Sequence, residues 1–151
     1  MCGILGLSIL DKRRVGHQRF KQTLVQLAHD SQLRGRDSFG LYIQVGPLKQ
    51  LWKTTVGPDF DFMVGEIFAQ QSDHVFLMGL SRLTMSGSSI DLDSIQPIVI
   101  DGMVGVHNGI FTKVAGRELD PRSDLASKSD SVTFFQSLAN QTDIGKSLLE
   151  V

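Results

Sequence analysis

Apolar residues along the chain alternate between short continuous runs and a period near 3.6, and the changes between the two divide it into elements. Residues 3–10 (GILGLSIL) form an apolar run that stops at Asp11 and a basic turn at 12–14, which predicts a short buried strand. From 17 to 33, Phe20, Leu24, Leu27 and Ala28 recur at i, i+4, i+7 and i+8, the spacing of one helical face, and Gly35 follows as a stop. Residues 39–45 and 48–55 read as two strands joined at Gly46-Pro47. Pro58 and Asp59 open a second helix, with Pro at its first position and Met63, Val64, Ile67 and Phe68 on one side. A buried strand is predicted over 74–80, and two more over 97–101 and 103–107, turning at Asp101-Gly102. Residues 112–129 are polar and irregular. Ser129 or Asp130 caps a third helix that faces Val132, Phe135, Leu138 and Ala139 inward, and the last residues add one more helical turn. Strands in antiparallel pairs with helices between the pairs predict an α+β layered fold rather than a doubly wound parallel sheet.

The 151 residues fit one domain, 1–151. With 41% apolar and 21% charged residues the composition is that of an ordinary globular chain, which argues against global disorder. The net charge of −1 provides no basic excess to hold a phosphate backbone, so no nucleic-acid partner is expected. No apolar run approaches the ~20 residues of a membrane span, and the start lacks the basic-then-apolar order of a signal peptide. One cysteine makes neither an internal disulfide nor a thiolate zinc site, and the four histidines show no metal-ligand spacing. A cytoplasmic protein without metal or organic cofactor is the expectation.

The chemistry-bearing positions begin with Cys2. Removal of Met1 would leave a residue with a thiol of reference pKa about 8.5 beside an α-amine of about 7.7–8.0. Such an amine is partly neutral near pH 7 and takes the thiol proton, directly or through water, giving nucleophile and base in one residue. By position alone Cys2 better suits a small buried residue at a strand start. Arg34-Gly35-Arg36-Asp37-Ser38-Phe39-Gly40 stands between a helix and a strand, where an Arg–Asp pair braces a tight turn or forms a solvated loop. Arg82, in Gly79-Leu80-Ser81-Arg82-Leu83, suits a bidentate clamp on a carboxylate or a surface ion pair. Asn108-Gly109, after His107, offers a side-chain amide and a backbone N–H to a developing oxyanion, or an ordinary turn. Asp130 in Ser129-Asp130-Ser131 favours a helix dipole or receives a ligand ammonium.

Each signal is weak by itself, whereas their order is specific. MCGI at the start, RGRDSFG, a strand ending in GLSR, QPI, VHNGIF and SDS follow one another over residues 2–132. In that order the chain resembles the glutaminase domain of class II glutamine amidotransferases, a family of N-terminal-nucleophile hydrolases. Its motif pattern is closest to the phosphoribosylpyrophosphate amidotransferase and glucosamine-6-phosphate synthase branches. The resemblance implies a four-layer αββα sandwich of two antiparallel sheets, here shortened at the C-terminus, and hydrolysis of L-glutamine to glutamate and ammonia. It implies Cys2 as nucleophile, Asn108 and Gly109 as oxyanion hole, and Arg34, Gly35 and Asp37 as the turn bracing the N-terminal residue. Arg82 matches the position that holds the substrate carboxylate, and Asp130, with Gly109, the position that holds its ammonium. Thr84, Ser86 and His107 flank these and complete the implied substrate pocket.

The pattern departs from the family at Leu80, Leu83, Met85 and Val132, where His, an aromatic, Thr and an acidic residue are usual. The chain also runs only a short way past SDS, so the sandwich is trimmed, completed by a partner or a homo-oligomer, or present as a fragment. With no synthase segment of its own, the ammonia would pass to a partner synthetase or acceptor domain. Two alternatives use the same residues: hydrolysis of another γ-glutamyl amide, and an inactive amidotransferase-like binding or structural subunit.

Overall fold

The computed structural model describes residues 2–83, 92–114, 117–118 and 130–140. In chain order these form β1 (Gly3–Ile9), α1 (Lys12–Val15), α2 (His17–Gln32), β2 (Ser38–Val45), β3 (Leu48–Thr54), α3 (Phe60–Ala69) and β4 (Val75–Arg82). A 3-10 turn (Leu92–Ser94), β5 (Ile98–Ile100), β6 (Met103–Gly105), β7 (Lys113–Val114), β8 (Arg117–Glu118) and α4 (Asp130–Ala139) follow. The class is mixed α+β. One sheet has four antiparallel strands in the order β1-β4-β2-β3, and the hairpins β5-β6 and β7-β8 make two-stranded sheets.

The side-chain alternation of the strands sorts the large sheet into two faces. Leu5, Leu41, Ile43, Val45, Val75 and Leu77 lie on the face covered by Phe20, Leu24 and Ala28 of α2 and Met63, Val64 and Ile67 of α3, and together they form the core. On the opposite face Gly40 lies in close contact with the segment before β5. A Cβ there would stand 1.9 Å from the carbonyl oxygen of Gln96, so the absence of a side chain lets the segment before β5 lie on the sheet. Farther along that face, Tyr42 and Leu51 line one shallow pocket with Val99 and Val104 of the β5-β6 hairpin.

Several boundaries differ from the sequence expectation, each for a visible reason. The basic turn at 12–14 is a helical turn, α1, because the Asp11 carboxylate accepts from the backbone N–H groups of Arg13 (3.1 Å) and Arg14 (3.3 Å). Lys12 is buried and donates from Nζ to the carbonyls of Ile67 (2.8 Å) and Gln70 (2.6 Å), closing the C-terminal end of α3. Pro58 stands before the cap rather than at the first helical position, since Asp59 caps α3 by accepting from Phe62 N–H at 3.0 Å. β4 continues two residues past its apolar run. It is hydrogen-bonded on both sides, and the ladders with β1 and β2 carry Ser81 and Arg82 along. β6 stops at Gly105, two residues short of His107. A short hairpin, β7-β8, occupies part of the stretch expected to be irregular. The Asp101-Gly102 turn holds both residues at positive φ, 47° and 83°, as a two-residue hairpin turn requires. The expected final turn of helix, Ser129, Thr84 and Ser86 lie outside the described residues.

Candidate functional site

The register of β1 and β4 builds the site. Gly3 pairs with Ser81, so Cys2 lies one step beyond the end of that ladder, at the sheet end where Arg82 pairs with Ser38 of β2. Three elements converge there. The start of β1 passes beneath the end of α2, where a Cβ on Gly3 would stand 2.1 Å from the Ser31 carbonyl oxygen. Ser31 and Ser81 join the two elements through a buried hydroxyl pair at 2.6 Å. The turn after α2 then presses Gly35 onto the main chain of Arg82 and Leu83, and the Asp37 N–H donates to the Arg82 carbonyl at 2.9 Å.

Cys2 is half-buried and held by side chains from two distant segments. Asn108, 106 positions along the chain, uses its amide on both backbone groups of Cys2: Oδ1 accepts from the N–H at 3.1 Å and Nδ2 donates to the carbonyl at 3.0 Å. Arg34 donates from Nε to the same carbonyl at 3.3 Å. The thiol lies 3.8 Å from the Leu83 carbonyl, a weak S–H donor contact. An Asn Nδ2 carries two protons, so donation to the Cys2 carbonyl leaves one proton for a further acceptor.

Asn108 follows His107, and His107 is held in its turn. The Gln96 side-chain amide accepts from the His107 backbone N–H and donates to its carbonyl at 3.1 Å. Gln96 Nε2 also reaches Ser131 Oγ at 3.1 Å, and Ser131 Oγ lies 3.0 Å from His107 Nδ1. Burial lowers the His107 pKa below its ordinary value, against a smaller opposing effect from the Asp130 carboxylate. The ring stacks on Phe111, centroids 4.1 Å apart, and Phe111 stacks on Phe134 at 4.3 Å. Gly109 is exposed beside the ring edge; a Cβ there would stand 2.8 Å from His107 Nε2.

Asp130 opens α4. Its Oδ2 accepts from Phe111 N–H at 2.7 Å and its Oδ1 from Ser131 N–H at 2.8 Å, so the carboxylate ties the helix start to the segment that bears Asn108. Arg82 is buried at 6% exposure on the last β2-β4 pair. Cys2, Arg34 and Asn108 are thus in direct contact, and Gly35 and Asp37 abut Arg82 at the same sheet end. Asp130 and His107 join through Ser131. Among the described residues no group of three or more His, Cys, Asp or Glu is placed to hold a metal ion. No helix among them is long and apolar enough to cross a membrane.

Residue type alone does not mark Gln96 and Ser131 as members of the site. Their signals lay in the motifs QPI and SDS, and Gln96 stands out as a polar residue inside the apolar run SIQPIVI. The chain matches no family model, no curated protein and no solved structure.

Proposed function

We propose that the chain is a glutaminase of the class II amidotransferase type. It would hydrolyse the side-chain amide of L-glutamine through a γ-glutamyl thioester on Cys2. The observation that carries this reading is the double hold of Asn108 on the backbone of Cys2, which sets an amide donor at a cysteine able to become N-terminal. Once Met1 is removed, Asn108 Oδ1 accepts from the free amine. The amine takes the thiol proton, the thiolate attacks the amide carbon, and the second Nδ2 proton with the Gly109 N–H meets the oxyanion. The amine then returns the proton to the departing ammonia, and water cleaves the thioester. Arg82 would bind the substrate carboxylate and Asp130 its ammonium. The β5-β6 hairpin over the open sheet face would belong to the second sheet of an αββα sandwich. The reading includes a cytoplasmic site of action and transfer of ammonia to a synthetase or acceptor partner.

A specific observation favours a second reading, an inactive binding or structural subunit. Both Asp130 oxygens already accept backbone N–H groups, which leaves less of the carboxylate for an ammonium. Ammonia release from glutamine, together with the intact mass before and after a glutamine-like electrophile, decides between them. The glutaminase reading expects a mass lacking Met1, one covalent adduct, and loss of both adduct and ammonia in Cys2→Ala. A processed protein that forms no adduct and releases no ammonia overturns it.

A further inference from the structure

We propose that Gln96 is a positioning residue that, through Ser131, fixes His107 as the neutral tautomer protonated on Nε2, so that a ring N–H donor stands beside Gly109. The argument is a count of protons. The His107 backbone N–H needs an acceptor and its carbonyl a donor, so the Gln96 amide is oriented with Oε1 on the N–H and Nε2 on the carbonyl. Nε2 has two protons. One serves the His107 carbonyl and the other Ser131 Oγ, each at 3.1 Å. Ser131 Oγ is therefore an acceptor from Gln96, with a single proton of its own to donate.

Two groups compete for that proton, His107 Nδ1 at 3.0 Å and Asp130 Oδ1 at 3.5 Å. The longer contact is at the limit of a hydrogen bond, and Asp130 Oδ1 already accepts from Ser131 N–H at 2.8 Å. The hydroxyl proton goes to Nδ1. A ring that accepts at Nδ1 and is neutral carries its proton on Nε2. That edge points at Gly109, where any side chain would collide with it. The stack on Phe111 fixes the ring plane, and Gln96, at 6% exposure with its own carbonyl against Gly40, is anchored to the large sheet.

This assignment of protons stands independently of the reaction; its catalytic consequence rests on the glutaminase reading. In that reading Nε2–H adds a third donor at the oxyanion side of Asn108 and Gly109, and Gln96 acts through His107 without touching substrate.

The test is the ring ¹⁵N spectrum of the ¹⁵N-histidine-labelled full chain at pH 7.5, with His107 assigned through His107→Gln. The wild type is expected to show an unprotonated Nδ1 and a protonated Nε2. In Gln96→Glu the new carboxylate accepts from Ser131, whose oxygen then accepts from the ring, so the proton is expected on Nδ1. A wild-type ring protonated on Nδ1 alone overturns the proposal, as does an unchanged ring in a folded Gln96→Glu protein. Ser131→Ala provides a second variant: without its donor, Nδ1 is expected to lose its single state and the ring to show both tautomers, and one retained tautomer counts against the proposal. Glutamine turnover is measured alongside. Gln96→Glu is expected to lower kcat about tenfold with KM changed less than about threefold. A moved proton with unchanged kcat overturns the catalytic consequence, whereas a wild type without glutaminase activity counts against the glutaminase reading and leaves the tautomer result intact.

Discussion

Gly35 lies against the main chain of Arg82 so closely that a Cβ on residue 35 would stand 2.5 Å from the Arg82 carbonyl carbon and 2.4 Å from Leu83 N. The turn after α2 and the end of β4 are therefore in backbone contact, and the relation of Arg34 to Cys2 and of Arg82 to the sheet end is set together. Neither partner in the clash is a flexible side-chain tip that can swing away.

Gly35→Ala follows as a test of that contact. Backbone must move to admit the methyl group, an overpacking cost of about 1–3 kcal/mol. Urea unfolding is expected to show a lower midpoint at unchanged slope. Cys2 should also react with an alkylating reagent at an altered rate, because Arg34 leaves the Cys2 carbonyl. A wild-type midpoint would mean that the turn does not need the glycine.

Asn108→Ala removes the amide that holds Cys2 and, in the glutaminase reading, an oxyanion donor. Turnover is expected to fall about 100-fold or more, with a smaller change in KM, because the donor acts on charge that forms in the transition state. Steady-state kinetics on glutamine read the split. An unchanged kcat would take Asn108 out of the oxyanion role.

Lys12→Met keeps the stem of a buried side chain and removes its ammonium. The carbonyls of Ile67 and Gln70 then lose their Nζ donor at the end of α3. The Ile67 carbonyl keeps the Gln70 N–H at 3.3 Å, so the loss falls mainly on the part-buried Gln70 carbonyl. A buried acceptor that loses its donor costs about 1–3 kcal/mol, and the burial that lowers the Lys12 pKa offsets part of it, since a desolvated cation is removed as well. The expected outcome is a net loss of stability, measured by denaturant unfolding, with amide exchange accelerated at residues 67–70 before the strands. A variant as stable as wild type would show that the cation contributes nothing net.

The lowered pKa of His107 fixes the sign of one pH effect. The folded ring binds its proton more weakly than the unfolded one, whose reference value is about 6.5, so between the two values the unfolded state holds more protons. Stability is fully present above the unfolded value and falls as pH drops from there to the folded value. Below the folded value the loss is constant. Unfolding free energies measured between pH 7.5 and pH 5 should show this decline in the wild type, and His107→Gln should have a shallower one. An identical slope in both proteins would assign the decline to other groups.

Much of the local structure was legible from residue order. The helical spacing of Phe20, Leu24 and Ala28 marks α2, and all three are buried in the core. The Asp101-Gly102 dipeptide marks a hairpin turn because only such residues tolerate the positive φ found there. The candidate residues Cys2, Arg34 and Asn108 were also named from sequence, through a motif order that requires no geometry. The short helix α1 was not legible, since its cap by Asp11 and the burial of Lys12 depend on α3 lying alongside.

The sequence by itself determined the longer strands and helices and which residue types are available for chemistry, because both follow from side chains a few positions apart. Tertiary structure alone decided that β4 inserts between β1 and β2, extending it to Arg82, and that Asn108 meets Cys2 across 106 positions. It also decided that Gln96, His107 and Ser131 share one set of protons. Strand order and these contacts join groups far apart in the chain, where loop closure and competition for buried hydrogen-bond partners govern, and neither leaves a mark in the local pattern of residues.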